Sequence, residues 1–527
     1  MTNLIYFRAF LVMGCCLFLL YPAFAQATKP EPVDLGELEK EFEDARDDYL
    51  HKLKKYLPGA YEQRFIALTD QQLAEIARTR RLWQYYTVNT TKTNDFQKNF
   101  LDPIDAVGEM LLIKPEQIDD EAVASARSIA FESGQRLMEA RLQAGVEIDP
   151  TKGVKSPTGI AYPPLDQPHT CVDILRLYEQ TTVLAHTVAP PDANQVLFEN
   201  AKRCALIDVE EAAFVMYSNK VRMLIGTVAW VADPLTTACA RDHSVDRKNG
   251  KASGHTSTVP GKEGFGDRLR LWGAKGSSEG AGGGTGESYI RGLSYGGGHT
   301  GPLYSIKRNA VGPGRADGAF TSVYYTDKSM YHKSQATEGE LFLPPGVEKS
   351  DIRGRLLRKA YTGFYKEKFN KAYDALVAEE PGEGFDGAIH RYLIARLDAE
   401  VQWRVTGIKR IAAAGDIAEA HARFQALQES MKGVPAFEEE VEALRSLFAD
   451  ESVEQEVKAG KIFRRICAQE YTEANMKKLI GMFPETIYAQ AAQKCIDDGM
   501  PKKAAGPLTF FTDRDPDLNQ WGYVINY

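Results

Sequence analysis

The stretch Asp242-His243-Ser244-Val245-Asp246-Arg247-Lys248-Asn249-Gly250-Lys251-Ala252-Ser253-Gly254-His255-Thr256-Ser257 holds two of the chain's nine histidines. Its first half continues an Ala-rich helical run, Leu-Thr-Thr-Ala-Cys-Ala-Arg (235–241). His243 follows Cys239 by four residues and Ala240 by three, so a helix puts all three on one apolar face. His243 is therefore expected to be a hydrogen-bonded core histidine. Arg247-Lys248-Asn249-Gly250-Lys251 reads as a solvated helix end and turn. Beyond it, His255 lies on a polar loop, where a lone histidine is ordinarily just solvated. Only a fold that brings another polar group to it would give it a role.

Downstream, residues 250–302 lose the helical period, and glycine dominates (GAKGSSEGAGGGTGE, SYGGGHTG). Low-complexity linkers have this composition. Trp272, Tyr289, Ile290, Leu293 and Tyr295 interrupt the glycines, however, and a flexible spacer has no use for large apolar groups. Arg268 and Arg270, on either side of Leu269, read as surface charges. The stretch AFTSVYYTD (319–327) is rich in β-branched and aromatic residues and predicts a strand.

Outward from this middle, both flanks are helical. From Val33 to about Gly145, apolar residues such as Leu35, Leu38, Phe42, Tyr49, Leu53 and Leu57 recur at helical spacing. Residues 146–168 are rich in Pro, Gly and Thr and read as a linker. Two helices are expected around Cys171–Leu184 and Ala193–Cys204. From Asp351 to about Lys502 the helical period returns, and GDIAEAHARFQALQES and MFPETIYAQAAQKC are similar to halves of tetratricopeptide-type hairpins. A generic helical stack fits that region equally well.

The chain of 527 residues opens with an apolar run from Ala9 to Ala25. Arg8 precedes it and Ala23-Phe24-Ala25 closes it, the pattern of a secretory signal peptide cleaved after Ala25. The rival reading, a membrane anchor, has a marginal length and a proline at its end. The formal charge is −8. A mildly acidic chain without clustered Lys and Arg is not a general nucleic-acid binder. An exported protein is secreted or periplasmic, where disulfides form. Cys467 with Cys495 and Cys171 with Cys204 are plausible pairs, which leaves Cys239 as a buried thiol. The expected organisation is a signal peptide (1–25), a helical region (26–145), a linker (146–168), a helical hairpin (169–210), a middle domain (211–330), a helical C-terminal domain (345–505) and a tail (506–527). Asn89-Thr90-Thr91 matches a glycosylation sequon, which matters only in a eukaryotic secretory pathway.

Residues 211–327, a little over a fifth of the chain, resemble the CAP superfamily (cysteine-rich secretory proteins, antigen 5 and pathogenesis-related 1 proteins) in its bacterial SCP-like extracellular form. Six features follow the family's order. Asn219-Lys-Val-Arg222 with Gly226 is similar to its opening helix, and Pro234-Leu235 through His243-Ser244 to its second helix. Gly254-His255-Thr256-Ser257 is similar to its Ser-His-Thr-Ser turn. Ser278-Glu279-Gly280 stands for its Gly-Glu-Asn motif, and Gly298-His299-Thr300 for its Gly-His motif. Val311-Gly312-Pro-Gly314-Arg with Phe320-Thr321-Ser-Val323 is similar to its closing hairpin. The resemblance implies an α+β fold, with a CAP-like α-β-α sandwich between mostly helical flanks.

It also implies a surface cleft lined by His255, Glu279 and His299. Glu287 either competes with Glu279 for the Gly-Glu-Asn place or stands for a second family glutamate. Two neutral imidazoles and a carboxylate suit a divalent metal such as zinc and leave a fourth position open, so His255 and His299 are the expected metal ligands. The altered Gly-Glu-Asn motif equally allows a cleft that binds no metal. Family members are associated with lipid binding and extracellular interaction. The expected function is therefore that of an exported binding protein, with an extracytoplasmic protein or a lipid-like ligand as partner, rather than an enzyme. The alternatives are a metal-dependent hydrolase of peptides or envelope polymers, with Glu279 as its base, and a helical scaffold whose middle domain is only structural. No segment after the signal peptide is expected to span a membrane.

Overall fold

The computed structural model describes residues 34–84, 101–146, 148–189, 191–284, 286–294, 303–304, 308–327, 342–378, 380–500, 509–521 and 523. The expected signal peptide (1–25), the Asn89-Thr90-Thr91 sequon and Gly298-His299-Thr300 lie outside them.

Four strands make the central sheet: β1 (Val231–Ala232), β4 (Ser278–Gly283), β5 (Ala310–Ala316) and β6 (Ala319–Tyr325), in the order β1-β5-β6-β4. The expected strand at 319–327 is β6. It pairs antiparallel with β5 from Ala316↔Ala319 to Ala310↔Tyr325. Asp317 and Gly318 close that hairpin with φ of 25° and 83°. Two positive φ values make the tight turn whose twist matches antiparallel strands. On the other side β6 pairs with β4 from Ser278↔Tyr324 to Gly283↔Ala319. The glycine-rich run is thus a paired strand rather than a spacer. A Cβ on Gly280 would lie 3.2 Å from the Leu293 side chain and 3.3 Å from the Tyr289 hydroxyl. Glycine gives helix α10 (Gly286–Ser294) room to approach the strand.

Alternation along β6 sends its side chains to two layers. Phe320 and Tyr324 face helix α7 (Val209–Ile225), the loop after it and α10. Phe320 stacks on Tyr289 with ring centres 4.2 Å apart and meets Phe214 at 5.5 Å, while Tyr324 meets Trp230 at 5.2 Å. Thr321 faces helix α8 (Pro234–Lys248), where its hydroxyl accepts from Ser244 Oγ at 2.9 Å. The approach of α8 to β5 is nearly backbone to backbone, since a Cβ on Gly314 would fall 2.0 Å from the Arg241 amide nitrogen. The middle unit therefore has three layers: α8, the sheet, then α7 with α10.

Asn219 and Arg222 fix the path from α7 into β1. Asn219 exchanges two hydrogen bonds with the main chain of Trp230, at 2.7 and 3.0 Å. Buried Arg222 donates to the carbonyls of Val228, Leu303 and Arg308. Burial lowers its guanidinium to about 9, and these main-chain carbonyl dipoles face its charge.

Upstream, α5 (Cys171–Thr187) and α6 (Pro191–Arg203) occupy the two segments expected to be helical. Asn200 of α6 donates to the Trp230 carbonyl at 2.6 Å and accepts from the Ala232 amide at 2.8 Å. Asn200 thus pairs the outer amide of Ala232 on the open edge of β1 and shares the Trp230 carbonyl with Asn219. Residues 148–168 hold a single bridge, Lys155↔Ala161, and read as linker by composition. Nonetheless Ile160 and Tyr162 pack on the buried trio Ala238, Cys239 and Trp272.

The N-terminal flank is α1 (Leu35–Ile66), α2 (Asp70–Gln84), α3 (Asp102–Leu111) and α4 (Glu121–Gln143). Phe42, Tyr49, Leu53 and Leu57 of α1 share a core with Val123, Ala130 and Leu137 of α4. The C-terminal flank comprises α11 (Arg355–Tyr365), α12 (Phe369–Val377), α13 (Gly384–Ala413), α14 (Ile417–Met431), α15 (Pro435–Ser446), α16 (Glu451–Gln469), α17 (Glu473–Met482) and α18 (Ile487–Asp497). Its long helix α13 packs on α2. There fully buried Glu400 contacts Arg81 and bonds Arg396 at 3.0 Å and Arg404 at 2.6 Å. Burial pushes this carboxyl up, but Arg81, Arg404 and Arg396 together outweigh that and hold it down at about 2. The last described residues dock on the same flank, where Tyr523 donates to buried Asp416 at 2.6 Å. The whole is α+β and mostly helical. No described helix is long and apolar enough to cross a membrane.

Candidate functional site

Two short strands, β2 (Ala252–Ser253) and β3 (Thr256–Ser257), form a hairpin at the C-terminal end of α8. Its tip is Gly254-His255, and Gly254 sits at φ 54°, a left-handed value that favours glycine. His243, fully buried on α8, donates from Nε2 to the Gly254 carbonyl at 3.0 Å. Burial lowers the pKa of its imidazole, so the ring is held neutral. His243 is thus a core histidine, as expected, and it grips the loop that carries His255.

His255 turns its Nδ1 to Glu279 Oε2 at 3.0 Å, and its side chain is 49% exposed. Glu279 comes from β4, on the α8 side of the sheet, and its side chain is only 3% exposed. The hairpin tip and the β4 edge, distant in sequence, therefore meet here.

The group that holds them together is one the composition had placed at the surface. Helix α9 (Phe265–Trp272) turns Phe265, Leu269 and Trp272 inward, and Arg268 shares that face. Arg268 is fully buried. Its Nη2 lies 2.8 Å from both oxygens of Glu279, and its two terminal nitrogens also reach the His255 carbonyl at 3.2 and 3.3 Å. The surface reading holds for Arg270, whose side chain is 77% exposed, and fails for Arg268. Position three after Phe265 and four before Trp272 on an eight-residue helix was the available signal. Lys262 adds a second tie, with Nζ 2.6 Å from Asp242 on α8, and the Trp272 indole donates to the same carboxylate at 3.0 Å.

The geometry fixes the chemistry of each group. A carboxylate accepting from Nδ1–H selects the tautomer in which Nε2 is the ring atom that can ligate a metal or accept from a bound molecule. Glu279 has both oxygens engaged by a buried guanidinium, so it serves as an orienting partner of His255 rather than as an open ligand or base. Among the described residues no group of three or more His, Cys, Asp or Glu is placed to hold a metal ion. These residues alone do not make a zinc site.

Of the other expected cleft residues, His299 lies outside the described residues. Glu287 is on α10, across the sheet from α8. It pairs with Arg291 at 2.9 Å and lines a different cavity, beside Tyr217 and Lys220. It does not join His255.

Neither expected disulfide is present, for Cys171, Cys204, Cys239, Cys467 and Cys495 are all buried free thiols. Cys171 belongs to the α1–α4 core and Cys204 to the separate main core. Cys467 and Cys495, on α16 and α18, are separate thiols. Burial raises Cys467 to about 12 and Cys495 to about 11.

No family model and no curated protein matches this chain. Among solved structures it is similar to an extracellular protein containing an SCP domain from Bacillus anthracis str. Ames, at 22% identity and a TM-score of 0.21. The match covers 26% of this chain and 44% of that one. At that score the overlap is too small to define a fold.

Proposed function

We propose that this chain is an exported binding protein with a CAP-type middle domain, and that its cleft takes a small ligand at Nε2 of His255. The observation that carries this reading is the fixed orientation of His255: Nδ1 on Glu279, and Glu279 on Arg268. A carboxylate behind an imidazole sets its tautomer and raises its strength as a ligand. The order of the sequence motifs and the three-layer middle unit support the same assignment. In the finer form of the proposal the ligand is a divalent metal such as zinc, with His255 and His299 as donors and Glu279 behind the first. The engaged oxygens of Glu279 weigh against a hydrolase that uses it as base.

Calorimetric titration of the purified chain with zinc tests the metal form. Binding is expected in the parent and absent in both His255→Ala and His299→Ala. Glu279→Gln should weaken it by roughly 10–100-fold, the usual cost of losing such a supporting partner. Equal affinity in the parent and both histidine variants, or no binding at all, rejects the metal form.

A further inference from the structure

A cleft of about 350 Å³ lies between α2, α13 and the C-terminal turn that ends at Trp521, remote in sequence from the His255 site. That volume lies within the range of small-ligand pockets. Asp398, Gln402 and Thr406 of α13 line it. Four-residue steps put them on one helix face about 6 Å apart. None of the three makes a hydrogen bond or ion pair among the described residues. They offer an acceptor, an amide that both donates and accepts, and a hydroxyl.

The same cleft has an aromatic wall. Trp403 and Trp521 lie 6.0 Å apart at 40°. The Arg81 guanidinium covers the Trp403 ring at 3.6 Å, so the stacking surface left is that of half-buried Trp521. Its indole Nε1 is shielded from solvent and has no partner among the described residues. Buried indole N–H groups ordinarily find an acceptor.

We propose that this cleft is a saccharide-binding site. A pyranose presents apolar C–H faces and a girdle of hydroxyls, and the cleft presents an aromatic face beside a row of unengaged polar groups. The saccharide is a neutral one. Glu439 adds a second negative charge near Asp398, and Arg78 is already paired with Glu75, so an acidic sugar would be repelled.

The test uses the full chain on an array of neutral and uronate-bearing glycans, followed by NMR titration with the neutral glycan that binds best. Trp521→Phe identifies the Trp521 indole N–H resonance, which is expected to shift on binding. Trp521→Phe and Gln402→Ala should each weaken binding about tenfold, on the order of one lost hydrogen bond, while His255→Ala binds as the parent does. Gln402 is exposed, so its variant keeps the fold even if the tryptophan variant does not. Binding to no neutral glycan, a preference for uronates, or undiminished affinity in Gln402→Ala overturns the proposal.

Discussion

Arg268 reaches both oxygens of Glu279 at 2.8 Å while its other terminal nitrogen holds the carbonyl of His255. One buried guanidinium therefore fixes the carboxylate that orients an imidazole and the backbone that carries it. Arg268→Ala leaves a buried carboxylate without its cation, a change that typically costs about 3–5 kcal/mol. Faster hydrogen exchange of the β4 amides and a lower thermal midpoint are expected. Unchanged exchange in β4 would show that the pair is not needed to hold that edge.

The contact between α8 and β5 leaves no room for a methyl group. Gly314→Ala is expected to destabilise by about 3 kcal/mol or more, at the upper end of overpacking costs, and to reduce soluble yield. Gly292, on α10, has nothing within 4 Å of a Cβ. Gly292→Ala should therefore raise stability by up to about 1 kcal/mol through helix propensity. Chemical denaturation of the two variants checks the pair of opposite signs.

Glu400 titrates at about 2 in the folded chain, below an ordinary glutamate. A carboxyl depressed by folding contributes stability above its unfolded value, near 4.3. That contribution is lost as pH falls from there through the folded value. The α2–α13 contact should therefore loosen between about pH 4 and 2. Glu400→Gln, which removes the carboxylate that Arg81, Arg396 and Arg404 share, should bring that loosening to neutral pH. Hydrogen exchange of α13 across this pH range is the measurement.

Burial raises all five described thiols, with Cys204 and Cys239 pushed up to about 12. A protonated thiol is a poor nucleophile. Native protein at pH 7.5 should resist iodoacetamide at all five positions, and denatured protein should react fully. Peptide mapping reads both states, and a cross-linked Cys467–Cys495 peptide would contradict the free thiols.

Much of the middle unit was legible because its signals are local. The β-branched and aromatic run at 319–327 reads as a strand, which the structure forms over Ala319–Tyr325, and the positions of Cys239, Ala240 and His243 put that histidine inside. The pairing of His255 with Glu279 was legible only through the resemblance, since no spacing rule joins a hairpin tip to a strand. The glycine-rich β4 hid its nature because its glycines are there for space, which composition does not distinguish from flexibility. Arg268 was missed because a charge flanking a leucine reads as solvated until its carboxylate is known. The expected Cys171–Cys204 bridge failed on a similar point, since two hydrophobic cores divide that stretch of chain.

Asn200 has a practical meaning for anyone who divides this protein. A fragment cut at residue 211, where the motif-bearing segment begins, would keep every member of the His255 site. It would lose the side chain that pairs the outer amide of Ala232, although Asn219 would still hold the main chain of Trp230. The severed piece would bare the outer margin of β1 at Ala232, which α6 otherwise covers. A soluble excised domain therefore has to begin upstream of α5, near residue 169, so that the protective hairpin travels with the sheet it guards.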